Sequence, residues 1–364
     1  MIGGGVTGLG CALALAEGGA AAQVVDWGAG AGSTANAGSL HVQLQSRFLK
    51  LFPEKAPNVE ASLPLYLEAV REWARLDRRF GPFGLVREGG LMVAEDAAQL
   101  RFLEAKAERE RARGVAAEIL DRAALDRLAD WLGPGIVGAE FCRDEGKLDP
   151  LAANARLRAA AERLGVRFAA DRIARLEPGP GGVLAVGARR WRADIVVIAA
   201  SWATGPLAET AGMAAPTAAE PLHMNVTEPA EYRIRHLVQH AERPITLKQF
   251  ASGQIVIGGG WPARAGAGAD APQVRADSLV GNVALAARLA PAIADLRVLR
   301  TWAGLNATAD GKTILGRRGP VVVATPGDAG YTLGPLVGRA AAALALGAAP
   351  SFDPAPYGPE RFAA

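Results

Sequence analysis

The 364-residue chain is half apolar, and its 40 Lys and Arg against 37 Asp and Glu leave a net charge of +3. A substantial core can form from that much apolar material, and the basic residues are spread along the chain, which argues against a nucleic-acid partner. Cys11 and Cys142, with His41, His223, His236 and His240, have no metal-ligand spacing, so neither a metal centre nor a disulfide framework is expected.

The opening stretch MIGGGVTGLG places Gly3, Gly5 and Gly8 in the pattern GxGxxG. A helix rich in small residues follows and ends at Gly19, and AQVVDW then reads as a buried strand with Asp26 at its end. Glycines let a backbone approach a pyrophosphate, a helix N-terminus supplies N–H donors, and an acid at the next strand end accepts from ribose hydroxyls. A strand of about five or six residues normally precedes such a turn, and here only Met1 and Ile2 do. The expectation is that the start lies upstream, in a slightly shortened reading of the gene; otherwise one wall of the site is unsupported.

Residues 28–43 form a loop of small and polar residues, with Ser33, Thr34 and Asn36 suited to wrap a cofactor. Helices are expected over 62–79 and 97–113, with a strand at 90–95 between them. Pro150 starts a further helix that Gly165 caps. The strands VRFAA, RIARLE and GVLAVGARRW follow, the last two joined by a PGPGG hairpin. ADIVVIAASWA reads as a central parallel strand ending in small residues at 199–201. From 216 to 300 the alternation of PLHMNVTE, ITLKQF and QIVIGGGW indicates an antiparallel sheet, followed by a helix around 279–289. The chain closes on the strand VVVATP and a turn into a helix beginning near Leu333. No leader is expected before the glycine turn, and the longest apolar stretch, 340–349, is too short to span a bilayer. A soluble cytoplasmic protein is expected, with no transmembrane segment and at most a peripheral membrane contact.

Four distant segments therefore look built for one extended cofactor: the first turn, the 33–40 loop, the 199–203 strand end and the 327–336 turn. Contacts that return so late in the chain suit FAD better than a nicotinamide cofactor. On GGGVTGLG, STANAGSLHVQ, EGKLDP, ADIVVIAASWA, QIVIGGGW, WAGLNATADGKTILG and GDAGYTLGP, in this order, the chain resembles the glycine-oxidase and D-amino-acid-dehydrogenase (DAO-type) family of FAD enzymes. The STANAGSLHVQ loop and the LHMNVTEP strand are most similar to the FAD subunits of opine oxidases, D-hydroxyproline dehydrogenases and hydrogen cyanide synthases.

The resemblance implies an α/β fold, with a Rossmann-like FAD-binding domain built on a parallel sheet and an antiparallel-sheet substrate (cap) domain. The FAD domain would take 1–80, 141–215 and 300–364, and the cap 81–140 and 216–299. It implies that Gly3, Gly5 and Gly8 hold the pyrophosphate, Asp26 the ribose, and Ile173 the adenine. Ser33, Thr34, Asn36, Ala37 and Gly38 would line the pyrophosphate and isoalloxazine, with Ala200 and Ser201 near the pyrophosphate. Gly330, Tyr331, Thr332 and Leu333 would point N–H groups at the ribityl chain and the flavin. Simple oxidases of the family clamp a substrate carboxylate with arginines. At those positions this chain has Asn306 and Asp328; the latter could attract a secondary ammonium or cap the following helix. Ser201 also stands where glycine is usual.

The implied chemistry is oxidation of a C–N bond of an amino acid or secondary amine, with hydride passing to flavin N5. Alignment matters most in such a step, and no dedicated base is demanded. Candidate pocket residues are His41, favoured, with Gln43, Asn225, Lys248, Trp302 and Asn306. His41 is equally readable as a structural histidine, Lys248 as a solvent-facing residue and Trp302 as packing. Three readings stay open. The chain is the catalytic subunit of a hetero-oligomeric dehydrogenase whose partner carries another redox centre, a self-sufficient oxygen-using oxidase, or a degenerate flavoprotein subunit.

Overall fold

The computed structural model describes residues 1–28, 32–266 and 271–363. Strand Gln23–Asp26 pairs in parallel with Arg167–Ala170, and Val196–Ile198 pairs in parallel with Val321–Thr325, which Ile314–Arg318 joins antiparallel. Between these two groups lies Ile2, bridged in parallel to both Val25 and Ile198. Met1 to Gly3 complete the sheet with four backbone hydrogen bonds: Ile2 N to Val197 O, Gly3 N to Val25 O, Val25 N to Met1 O and Ala199 N to Ile2 O, each 2.8–2.9 Å. The unsupported wall named as the alternative to an upstream start is therefore not found. Three residues satisfy both neighbours at the end of the sheet where the glycine turn begins.

Two helices cover this sheet together. The first, Val6–Glu17, is crossed by the last, Gly330–Ala345, at very short range. Cβ atoms added at Gly10, Gly334 and Gly338 would meet Pro335 Cα at 2.8 Å, Val6 Cγ1 at 2.5 Å and Thr7 O at 2.2 Å. The last helix starts at Gly330, earlier than the expected Leu333, because Ala329 takes a left-handed φ of 48° and reverses the chain there. Helix Leu63–Phe80 braces this junction. Trp73 stacks on Tyr331 and its Nε1 donates to the carbonyls of Tyr331 and Thr332.

The expected strand GVLAVGARRW is two strands, Gly182–Val186 and Arg190–Ala193. The chain turns between them because the Asp171 carboxylate accepts from Ala188 N, Arg189 N and Trp191 Nε1.

The second layer is an eight-stranded sheet. Its order is Val298–Thr308, Ala218–Thr227, Ile255–Gly258, Thr246–Gln249, Leu237–His240, Gly90–Ala94, Gly138–Cys142 and Ala117–Asp121. All neighbours are antiparallel except Leu237–His240 with Gly90–Ala94. Residues 300–308, which the sequence division groups with the nucleotide domain, run in this sheet. Alternation gives it two faces. Leu91, Val93, Val238, Leu247, Ile255 and Ile257 form one, packed with Leu285, Ala286 and Leu289 of helix Ala276–Leu289. The register puts Leu222, Met224, Gln239, Thr246 and Lys248 on the other. Among the described residues no helix is long and apolar enough to cross a membrane.

Candidate functional site

An elongated cavity of about 610 Å³ runs between the glycine turn, the strand ends of the nucleotide sheet and the eight-stranded sheet. That lies within the range of cofactor pockets. Gly3, Gly5, Asp26, Ser33, Asn36, Ile173, Ala200, Ser201, Gly330, Tyr331 and Asn306 all line it, from every segment that the sequence singles out. Gly8 stands behind the lining, where a Cβ would lie 1.9 Å from Gly3 O; its role is close packing of helix on turn. Ala37, Gly38, Thr332 and Leu333 also stand behind it. Gly38 has φ 78° and fits against Leu148 O, and its N–H donates to Asn36 Oδ1 at 2.8 Å. Thr34 sits in the single helical turn Gly32–Ala35, which is stapled to the first helix by Val6 N donating to Ser33 Oγ at 2.9 Å.

Both covering helices aim their N-termini at this space: Gly5, Val6 and Thr7 line it from one, Gly330 and Tyr331 from the other. Neither helix has a capping side chain from its N-cap residue. The N-cap position of the last helix is Ala329, so Asp328 stands one residue before the place that its capping reading requires. Ser201 and Ala329 are the two non-glycine residues with positive φ among those described, at 57° and 48°. Ser201 lines the cavity in the backbone conformation that glycine, its usual counterpart, adopts freely.

Sequence reasoning missed part of the lining: Gly4, Trp27, Arg172, Leu222, Met224 and Gly304 among others. A Cβ at Gly4 would approach Asp26 Oδ2 to 2.8 Å, so the middle glycine of GGG is a readable signal for this contact. Arg172 lies over the Trp27 ring at 4.4 Å, a pairing no motif announces.

The family described as DAO, FAD dependent oxidoreductase, matches residues 1–344. The chain belongs to this family. Among curated relatives, an opine oxidase subunit of Agrobacterium tumefaciens (strain Ach5) is 30% identical over 201 residues, 54% of this chain and 51% of that protein. Its counterpart in Rhizobium meliloti, also an opine oxidase subunit, is 27% identical over 204 residues, 53% of this chain and 50% of that one. The matches thus span about half the length of these relatives. Three solved structures share the fold. Iminodiacetate oxidase (IdaA) from Chelativorans sp. BNC1 has a TM-score of 0.82 at 21% identity, covering 99% of both chains. L-proline dehydrogenase from P. horikoshii has 0.81 at 22%, covering 99% of this chain and 96% of that one. Glycine oxidase from Geobacillus kaustophilus has 0.78 at 20%, covering 98% and 96%.

FAD is the cofactor of the DAO family, and the geometry fits it. Glycine backbone at positions 3–5 leaves room for a pyrophosphate, two helix N-termini favour negative charge, and Asp26 stands at the far end of the turn.

The substrate-side candidates of this DAO protein do not gather in one place. Asn306 lines the cavity and donates from Nδ2 to Glu220 Oε2 at 3.2 Å. Asp328 and Glu220 line a separate 170 Å³ recess with Lys55. Trp302 Nε1 donates to Ala35 O at 2.8 Å and so anchors the 32–35 turn. Asn225 does not reach the cavity. It projects from the opposite face of its strand, bonded to His223 Nε2 and Asn282 Oδ1, because odd and even positions of 218–227 alternate. His41, Gln43 and Lys248 are fully or nearly buried and stand outside the lining of the cavity. His41 N donates to Thr332 Oγ1 at 2.9 Å, one residue from the cavity-lining Tyr331. Lys248 is buried, contrary to its solvent-facing reading.

The 41–44 segment is pinned by two buried carboxylates. Glu145 accepts from Val42 N, Gln43 N, Gln43 Nε2 and Gln239 Nε2, and its Oε1 lies 3.8 Å from His41 Nδ1. Burial pushes the Glu145 carboxyl up, but His41 and the two backbone donors outweigh that and hold it below its ordinary value. Glu110 accepts from Leu44 N and from the buried Lys106, which also meets Glu140.

Proposed function

We propose that this chain oxidises a C–N bond of an amino acid or secondary amine, using FAD. The arrangement that carries this reading is the cavity itself: two helix N-termini converge on it, and the His41 backbone is tied to the last of these helices by its N–H on Thr332 Oγ1. The similar proteins are named for opines, iminodiacetate and L-proline, all of them amines that carry a carboxylate, which supports the substrate class.

FAD, when bound, would accept both electrons as a hydride from the substrate's α-carbon. The chain's own part is placement. Gly3, Gly5 and Asp26 would hold the pyrophosphate and ribose, with Ser33, Thr34, Asn36, Ala37 and Gly38 beside the pyrophosphate and ring, Ala200 and Ser201 at the pyrophosphate, and Ile173 at the adenine. The N–H groups of Gly330 and Tyr331, which line the cavity, would stabilise the negative charge that reduction places on the ring, whereas the Leu333 N–H donates to Ala329 O. The divided chain of 1–80, 141–215 and 300–364 would form the cofactor domain, less residues 300–308, which belong to the eight-stranded sheet that would roof the substrate. Anaerobic titration of the flavin-loaded protein against D-amino acids, N-alkyl amino acids and opines tests this. Bleaching by at least one member is expected, and an unbleached flavin across the panel would refute it.

The curated relatives are named as subunits, which favours action within a hetero-oligomer, with a partner redox protein removing the electrons. The isolated chain should then be reduced by substrate yet release little hydrogen peroxide. Vigorous peroxide production would instead make it a self-sufficient oxidase.

A further inference from the structure

A cluster of three charged residues lies buried behind the 41–44 segment. Lys106 and Glu110 project one turn apart from helix Ala97–Arg111, and Glu140 comes from the middle of strand Gly138–Cys142. All three side chains are 0% exposed. Lys106 Nζ lies 2.6 Å from Glu110 Oε1 and 2.8 Å from Glu140 Oε2, so one ammonium meets both carboxyls. Glu110 Oε1 also accepts from Leu44 N at 2.6 Å. Glu110 Oε2 and Glu140 Oε1 receive no hydrogen bond, and the two carboxyls are in contact with each other.

Among the described residues the surroundings offer no second cation. On the sheet, Glu140 stands between Met92 and Ile119, and the nearest titratable groups are the Cys142 thiol, which burial pushes up, and Glu145. On the helix, Arg109 turns outward to Glu60 and Arg111 to the carbonyl of Ala117, while Arg113 beyond it also meets Glu60. On the segment side, His41 faces Glu145 and Lys50 pairs with Glu242. One ammonium cannot neutralise two carboxylates, and a net charge held away from water is costly. A proton between the acids removes that charge and gives an oxygen without a partner a donor. Burial drives the Glu140 carboxyl well above its ordinary value; Lys106 opposes this, and the contact with Glu110 adds to the rise.

We infer that Glu110 and Glu140 hold one proton between them in the folded protein, and that this proton latches the 41–44 segment to helix and sheet. Glu110 grips the segment through Leu44 N, and Ser46 Oγ donates to Met92 Sδ at 3.0 Å, beside Glu140 on the sheet. Loss of the proton leaves two carboxylates on one ammonium, and their repulsion is relieved when Glu110 moves away with Leu44. At the other end of the segment His41 N bonds Thr332 of the last helix, so alkali loosens a support of the cofactor wall. This holds whatever the chain oxidises.

Infrared difference spectra test the proton. FAD-loaded wild type minus Glu140→Gln, and wild type minus Glu110→Gln, should each carry the carbonyl stretch of a protonated carboxyl at neutral pH, since in either variant one carboxylate balances Lys106. Wild type at neutral minus alkaline pH should carry the same stretch, which decides the case without a variant should either glutamine chain fail to fold. Because the folded Glu140 carboxyl is raised, its contribution to stability is whole in acid and is lost as pH rises from the unfolded carboxylate range toward the folded value. Glu140→Gln keeps the shape and cannot ionise, so in urea unfolding it should match wild type in acid and gain on it about tenfold in the folding equilibrium per pH unit above that range. Backbone hydrogen exchange at 41–46, corrected for its ordinary rise with pH, should quicken in alkali in wild type and not in Glu140→Gln. Absence of the carboxyl stretch from these spectra, or a stability gap that stays constant with pH, would overturn the shared proton. Equal exchange in wild type and Glu140→Gln at every pH would overturn the latch.

Discussion

Gly338→Ala is the sharpest probe of how the cavity is built. Gly338 belongs to the last helix and faces the first, where an added Cβ would lie 2.2 Å from Thr7 O and 2.7 Å from Cys11 N. Both are backbone atoms, so no rotamer change relieves the contact. Reaching an ordinary 3.4 Å separation requires one helix to retreat by about 1.2 Å. Overpacking of this kind costs about 1–3 kcal/mol, and alanine's better helix propensity returns about 1 kcal/mol. A net loss of up to about 2 kcal/mol is expected in urea unfolding of the FAD-free protein. The effect on cofactor should be larger than this loss suggests. A donor at 2.9 Å that retreats by that amount leaves hydrogen-bonding range, and losing one charge-assisted bond weakens FAD about 10- to 100-fold. Fluorescence titration with FAD measures this directly. Gly330→Ala is the control on the same helix, since nothing lies within 4 Å of its added Cβ. It should not lose stability. A Gly338→Ala protein that unfolds and binds FAD like the wild type would refute the claim that glycine contact sets the two N-termini.

Other substitutions probe separate links. Asp26→Ala should leave the fold intact and weaken FAD about 10- to 100-fold by removing a charged acceptor; unchanged affinity would exclude the ribose role. Ala329→Gly should stabilise the protein by about 1 kcal/mol in urea unfolding, because the left-handed φ of 48° is costly for alanine. Glu145→Gln should cost about 2–3 kcal/mol at neutral pH, since an amide N–H₂ would face the donors Gln43 Nε2 and Gln239 Nε2. Because the folded carboxyl is held below its ordinary value, its contribution is present above the unfolded carboxylate range and is lost as pH falls through the folded value. The gap between wild type and Glu145→Gln should therefore narrow in acid, and a gap that stays constant with pH would contradict this.

What is legible in the sequence is what local chemistry dictates. The glycine turn, the acid at 26, the helix opened by Pro150 and the small residues at 199–201 announce themselves through backbone requirements. The sheet-completing role of Ile2 does not, because two residues carry no periodicity and their pairing is visible only once both neighbours are in place. Strand Leu237–His240 is hidden because it is buried on both faces and shows no alternation. Asn225 is misplaced by a single step of strand register. Its pattern identifies the strand but not which parity faces the cavity. Lys147 lies inside the motif EGKLDP with no local sign of its burial, since a lone lysine normally reads as surface.

The pairing of the first helix with the last has a consequence for how the protein comes to hold its cofactor. The wall formed by Gly330 and Tyr331 does not exist on a growing chain until those residues have left the ribosome. Before that the first helix exposes the small-residue groove around Gly10 that Pro335 later fills. Cofactor capture is thus a late event in biosynthesis, and the interval before it is when this chain is most open to proteolysis and misassociation.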